Sequence, residues 1–237
     1  MAIDTSRPQQ PHSPLPWLLL LLSGTTGLVD AVSVLGLGKV FTANMTGNVV
    51  FLGFAAAGTP GFSWPPYVVA ILTFMLGALV AGRLGKRRSG GPLAGWLVRA
   101  AVVEALLLWA AALVAIGFDP ANPDPLRTFA IIALTAIAMG FRNATIRQLK
   151  VPDLTTTVLT LTITGIAADS TAAGGANPNW ARRLGAVAAI FAGALLGAVL
   201  VRTTGLTPPL ALAGATVLAG TLGAARSLEV GRPSAGA

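Results

Sequence analysis

An aspartate stands alone in an apolar run. Asp30 lies about 13 residues into the stretch that starts at Trp17, within the sequence SGTTGLVDAVS. At about 1.5 Å per residue, that depth is roughly 20 Å along a helix. A carboxylate so placed in a bilayer costs about 2.5–3.5 kcal/mol on insertion scales and must face protein or water. One chemistry that fits is coupling: the group takes up and releases a proton or a cation as a solute crosses. The competing role is packing, with Asp30 paired to Lys39, Arg99 or Arg142. Ser23, Thr25, Thr26 and Ser33 stand near it as hydrogen-bond partners.

A second constellation follows directly. In TANMTGN, Thr42, Asn44, Thr46 and Asn48 recur at every second residue. A helix would scatter them, whereas an extended stretch puts them on one side. Gly36, Gly38 and Gly47 permit a break, so the spacing predicts an extended GLGKVFTA entering the protein. A short helix then starts near Met45, capped by Asn44 or Thr46. The later segment LTTTVLTLTITGIAAD repeats the plan, with Thr155, Thr156 or Thr157 as the cap. Two helix N-termini inside the membrane would favour an anion or a carboxylate. The plainer alternative is that these hydroxyls and small residues support close helix packing.

Two further groups are charged. Glu104 sits five residues after Arg99 in WLVRAAVVEALLLW, a spacing poor for a same-face pair, so its partner is expected on another helix. Arg142 is expected either as a cytoplasmic anchor beside Arg147 and Lys150 or as a cation at the site. The remaining chemistry is sparse. There is no cysteine, the one histidine (His12) lies in a proline-rich tail, and HExxH, GxSxG and P-loop patterns are absent. No catalytic group, metal site or cofactor is expected, and the chain is not expected to be an enzyme.

The elements that must position these residues are membrane spans. The 237 residues are 54% hydrophobic and 10% charged, against about 25% charged in soluble domains. Mean hydropathy is +0.75. Net charge is +8, but Lys and Arg collect at the ends of apolar blocks, which reflects topology and not nucleic-acid binding. The Leu18–Leu22 run lacks a cleavage signal within reach, so the first segment is expected to stay in the mature protein. Eight stretches stand out, at about 17–38, 41–57, 66–84, 93–117, 127–149, 154–168, 183–202 and 208–225.

The first four and the last four align. Gly27–Ala31 (GLVDA) matches Gly140–Ala144 (GFRNA) at an offset of 113, which pairs Asp30 with Asn143. Thr46 matches Thr157 at an offset of 111. Gly77-Ala78-Leu79 matches Gly193-Ala194-Leu195, and Pro92 matches Pro208, at 116. The organisation is therefore a tail (1–16), a first repeat (17–117), an external linker (118–127), a second repeat (128–225) and a C-terminal tail (226–237). The stripes Gly77-x-x-x-Ala81 and Gly193-x-x-x-Gly197 read as helix-contact faces.

Charge decides between two topologies. If the short second and sixth segments only dip into the bilayer, six spans remain and thirteen Lys and Arg lie inside against three outside. If all eight cross, the better orientation gives ten against six. The positive-inside rule favours the first. The fold class is thus an all-α polytopic membrane protein. It has about six transmembrane helices, two short re-entrant or broken helices and an inverted internal repeat; the alternative is eight full spans and a parallel repeat.

The run TGLVDAVSVLGLGKVFTANMTGNVVFLG, together with GFRNATIRQL before the threonine-rich segment, resembles the YoaK-like family of bacterial membrane proteins, a domain of unknown function. The resemblance extends over nearly the whole chain. It implies a multi-pass protein of the bacterial inner membrane with about six spans, and no settled activity or binding residues. Residue chemistry then leaves two functions: a small secondary transporter for a polar or anionic solute coupled through Asp30, or a non-transporting scaffold or partner subunit. The expected partners are the lipid bilayer, a small solute or ion, and a second copy of the chain in a homodimer, with no nucleic acid. The six-span arrangement predicts that Ser6→Cys and Ser89→Cys label from the same, cytoplasmic side in intact cells. Labelling from opposite sides would establish eight spans.

Overall fold

A computed structural model describes residues 14–87, 92–149 and 159–230. Every long element among them is a helix: α1 (Leu15–Gly36), α2 (Met45–Ala56), α3 (Trp64–Arg87), α4 (Leu93–Val114), α5 (Pro125–Leu149), α6 (Leu159–Ala168), α7 (Trp180–Thr204) and α8 (Thr207–Val230). All except α2 and α6 are long and apolar enough to cross a membrane, at 22 to 25 residues each. The 12 residues of α2 and 10 of α6 reach only about 15–18 Å, half of the roughly 30 Å hydrocarbon core.

Proline and glycine set the boundaries. Pro16, Pro65, Pro66, Pro125, Pro208 and Pro209 fall in the first turns of α1, α3, α5 and α8, where the missing N–H is no loss. At the other ends, Gly205 closes α7 with a φ of 84°. Most bounds differ from the sequence reading by a few residues, and α1 begins at Leu15, inside the expected N-terminal tail. Helix α5 begins at Pro125, inside the expected linker. Helix α8 runs on to Val230, so the chain expected as a tail from 226 is helical for its first five residues.

The core is a four-helix arrangement of α1, α8, α4 and α5, flanked by α7 against α1 and α3 against α5. Helices α2 and α6 lie on α3 and α7 respectively. Exchanging α1 with α5, α2 with α6, α3 with α7 and α4 with α8 turns each of these contacts into another of them. The correspondence holds at single residues. A Cβ on Gly27 would run into the backbone of Ile190 and Ala194, and one on Gly140 into that of Phe74 and Ala78. Likewise Gly77 faces the Ile137 carbonyl and Gly193 the Gly24 carbonyl. Each counterpart lies 113 or 116 residues along. The glycine stripes are therefore contacts within the chain: backbones meet where no side chain intervenes, which is how helices pack tightly in lipid.

Two larger apolar clusters fill the interior, beside a small one of Ala81, Ala100 and Phe141. One contains Val29, Leu108, Met139 and Ala213, the other Leu22, Ala101, Ile146 and Val217. Between the two clusters lie Thr26 on α1, Glu104 on α4 and Arg142 on α5. The outward faces of α3 and α7 carry large exposed hydrophobics such as Leu72, Met75, Phe191 and Leu195, as a surface against lipid requires.

These contacts predict a contrast between glycines. Gly140→Val, facing the Phe74 backbone, should lower the thermal midpoint of the detergent-purified protein, with an overpacking cost of about 1–3 kcal/mol. Gly82→Ala, with nothing within 4 Å, should leave it unchanged or raise it slightly. Equal midpoints for the two variants would contradict the close approach.

Candidate functional site

After Gly36 the chain leaves helical geometry. Gly38 (φ 86°) and Lys39 (φ 62°) turn it back, and an extended stretch runs alongside α1 until α2 begins at Met45. Backbone inside a membrane must find partners within the protein. Two side chains provide them here. The Asn48 amide spans the peptide groups of Phe41, accepting from its N–H at 2.9 Å and donating to its carbonyl at 2.6 Å. The Asp30 carboxylate accepts from the Ala43 N–H at 3.0 Å, and the Thr42 N–H also faces it. Stacked and tilted rings of Phe41, Phe51, Phe54, Phe62 and Tyr67 hold α2 on α3.

Asp30 is half-buried and forms part of the wall of a cavity of about 410 Å³. Helix α1 contributes Thr26, Gly27, Ala31, Val34 and Leu35, the extended stretch Phe41, Ala43 and Asn44, α6 Leu159, and α7 Ile190, Ala194 and Ala198. Among the described residues, no cation lies within ion-pair distance of Asp30. The helix N-terminus expected to attract an anion, that of α2, is approached by this carboxylate of the chain itself.

The other buried acid is fully matched. Glu104 is ion-paired with Arg142: the Arg142 Nε donates to its Oε1 at 2.6 Å, and Nη2 donates to the same oxygen. Arg142 Nη1 donates to the Leu22 carbonyl and the Thr26 hydroxyl, both at 3.0 Å. Three helices, α1, α4 and α5, are thereby joined in the layer between the apolar clusters. Arg142 is thus a buried structural cation and not a cytoplasmic anchor. Glu104 pairs with it rather than with Arg99, which is exposed. Lys39 is exposed as well and sits over the Phe62 ring at 5.1 Å.

The remaining candidates divide. Asn44 is exposed at the cavity, and Thr46 is exposed in the first turn of α2. Thr42 is buried, its hydroxyl without a partner among the described residues. Asn48 is buried and committed to Phe41, so the four alternating residues do not share a face. A helix that starts at Met45 turns Thr46 and Asn48 apart. Asn143 donates to the Met139 carbonyl at 2.9 Å and does not line the cavity. Thr155, Thr156 and Thr157 lie outside the described residues. Ser23, Thr25, Thr26 and Ser33 donate to backbone carbonyls and not to the Asp30 carboxylate. The sequence reading missed the α7 wall of Ile190, Ala194 and Ala198. Their spacing of four beside the Gly193 and Gly197 stripe was the available signal.

The pattern of the family described as "Protein of unknown function (DUF1275)" matches residues 18–223, most of the chain and both sets of helices. The chain belongs to the DUF1275 family. It is also 30% identical over 154 residues to the UPF0700 transmembrane protein YoaK of Bacillus subtilis (strain 168). That match takes in 64% of this chain and 65% of the relative's length. No solved structure matches. Family membership and the six long apolar helices together make this a multi-pass membrane protein.

The buried pair predicts an asymmetric mutational response. Glu104→Gln leaves the Arg142 charge in the core and should cost about 3–5 kcal/mol of thermal stability. Glu104→Leu combined with Arg142→Leu should cost clearly less than either single change. Additive losses in a double-mutant cycle would mean that the two groups are not coupled.

Proposed function

We propose that the chain is a small secondary transporter whose solute occupies the cavity beside Asp30, with the Asp30 carboxylate as the coupling group. The observation that carries this reading is a carboxylate with no ion-pair partner among the described residues, on the wall of a partly open cavity, where an interrupted helix begins. Transporter sites of this kind are built from discontinuous helices near the bilayer midplane, in two halves of inverted topology. The reciprocal glycine contacts of α1 with α7 and of α3 with α5 support such a duplication. Three long helices per half give the second half the opposite orientation. Helices α2 and α6 stand at matching places in the two halves.

A second reading has an observation of its own. Asp30 and Asn48 both satisfy the extended backbone before α2, which is a packing role. Flux measurement separates the two. In proteoliposomes with an entrapped pH-sensitive dye, at least one member of a panel of small amines, sugars and carboxylates should move protons when added outside. Asp30→Asn should abolish the response while the thermal midpoint stays near that of the unaltered protein. If no member drives flux and Asp30→Asn lowers the midpoint, the packing role stands and the transporter reading fails.

A further inference from the structure

We infer that the cavity beside Asp30 takes a small amphipathic monocation, an organic ammonium group carried on an apolar body. The assignment rests on the transporter reading for its site but adds the charge and shape of the occupant.

Two carboxylates and one guanidinium are set into the helix layer. Arg142 is committed through its hydrogen bonds to Glu104, the Leu22 carbonyl and Thr26. Asp30, one turn along α1 from Thr26, lies within the field of Arg142 but forms no ion pair with it or with any other cation among the described residues. The Ala43 N–H and the start of α2 offset part of the Asp30 charge, since a helix N-terminus supplies about half a positive charge. The rest favours a positive ligand, because a half-buried carboxylate facing apolar walls is costly to leave unpaired.

The walls define what else that ligand carries. Among the described residues, the polar lining apart from Asp30 comes from Thr26 and Asn44. Val34, Leu35, Phe41 and Ile190 present apolar surface. A hydrated metal ion would find one carboxylate and too few oxygens to replace its water shell. A sugar would leave its hydroxyls without partners. An anion would meet a carboxylate of its own sign. A cavity of about 410 Å³ lies within the usual range for small-molecule sites.

A matched set of three ligands tests the charge while holding shape nearly constant: phenethylammonium, 2-phenylethanol and phenylacetate. Equilibrium dialysis against the detergent-purified full chain should show phenethylammonium bound at least tenfold more tightly than the alcohol, and no binding of phenylacetate. Asp30→Asn should reduce the cation to the level of the alcohol. Ala198→Phe, which fills the cavity and leaves Asp30 in place, should abolish binding of both and covers the case in which Asp30→Asn does not fold. Equal binding of cation and alcohol, preference for phenylacetate, or binding of none of the three would overturn the assignment. Binding in the expected order without flux in proteoliposomes would refute transport and leave the cation site standing. Flux of some other solute with charge-blind binding would do the reverse.

Discussion

Inside a bilayer there is no water to take up a peptide group that leaves helical geometry. Everything unusual about this protein follows from how it meets that constraint between Gly36 and Met45. The chain must turn back beside α1, descend in extended form and start again as α2. It manages this by aiming one amide and one carboxylate at its own backbone. Asn48 holds the Phe41 peptide from both sides, and Asp30 receives the Ala43 N–H. The carboxylate is thus tied to the fold by its backbone contact and, being half-buried, also meets the open space beside α7.

The two halves solve the same problem with different chemistry. In the first, α2 is seated by aromatic rings, with Phe51 within 6.0 Å of Phe41, Phe62 and Tyr67. In the second, Arg183 of α7 fixes α6 through the Gly165 carbonyl at 2.7 Å and the Asp169 carboxylate at 2.6 Å. Asp30 and Asn143 occupy matching places in the two alignments, yet only the first borders the cavity. Between them, Arg142 ties its own helix to Glu104 and to the Leu22–Thr26 turn. Among the described residues, Asp30 thus borders the cavity, and the buried Arg142 and Glu104 neutralise one another.

Much of this was legible in the sequence. Block lengths marked the second and sixth segments as short, because span length is fixed by membrane thickness, and the distribution of Lys and Arg then favoured six spans over eight. The restart at Met45 could be read from Gly36, Gly38 and the polar alternation that follows. The glycine stripes announced close helix contacts because small residues are what such contacts need. What was not legible depends on azimuth and on partners in other helices. Glu104 and Arg142 are 38 residues apart on different helices, and no local spacing joins them. The turn of α2 sends Asn48 inward and Thr46 outward, which the two-residue alternation could not show. The α7 wall became visible only once α1 and α7 were in contact.

Where backbone lies against backbone, as at Gly27 with Ile190 and Gly193 with Gly24, no side chains are left to re-sort. Helices α1 and α7 then behave as one rigid girder, and α3 with α5 as another. Neither can slide by a helical turn without first lifting apart. The face that α1 and α7 jointly turn to the hollow is accordingly fixed in outline.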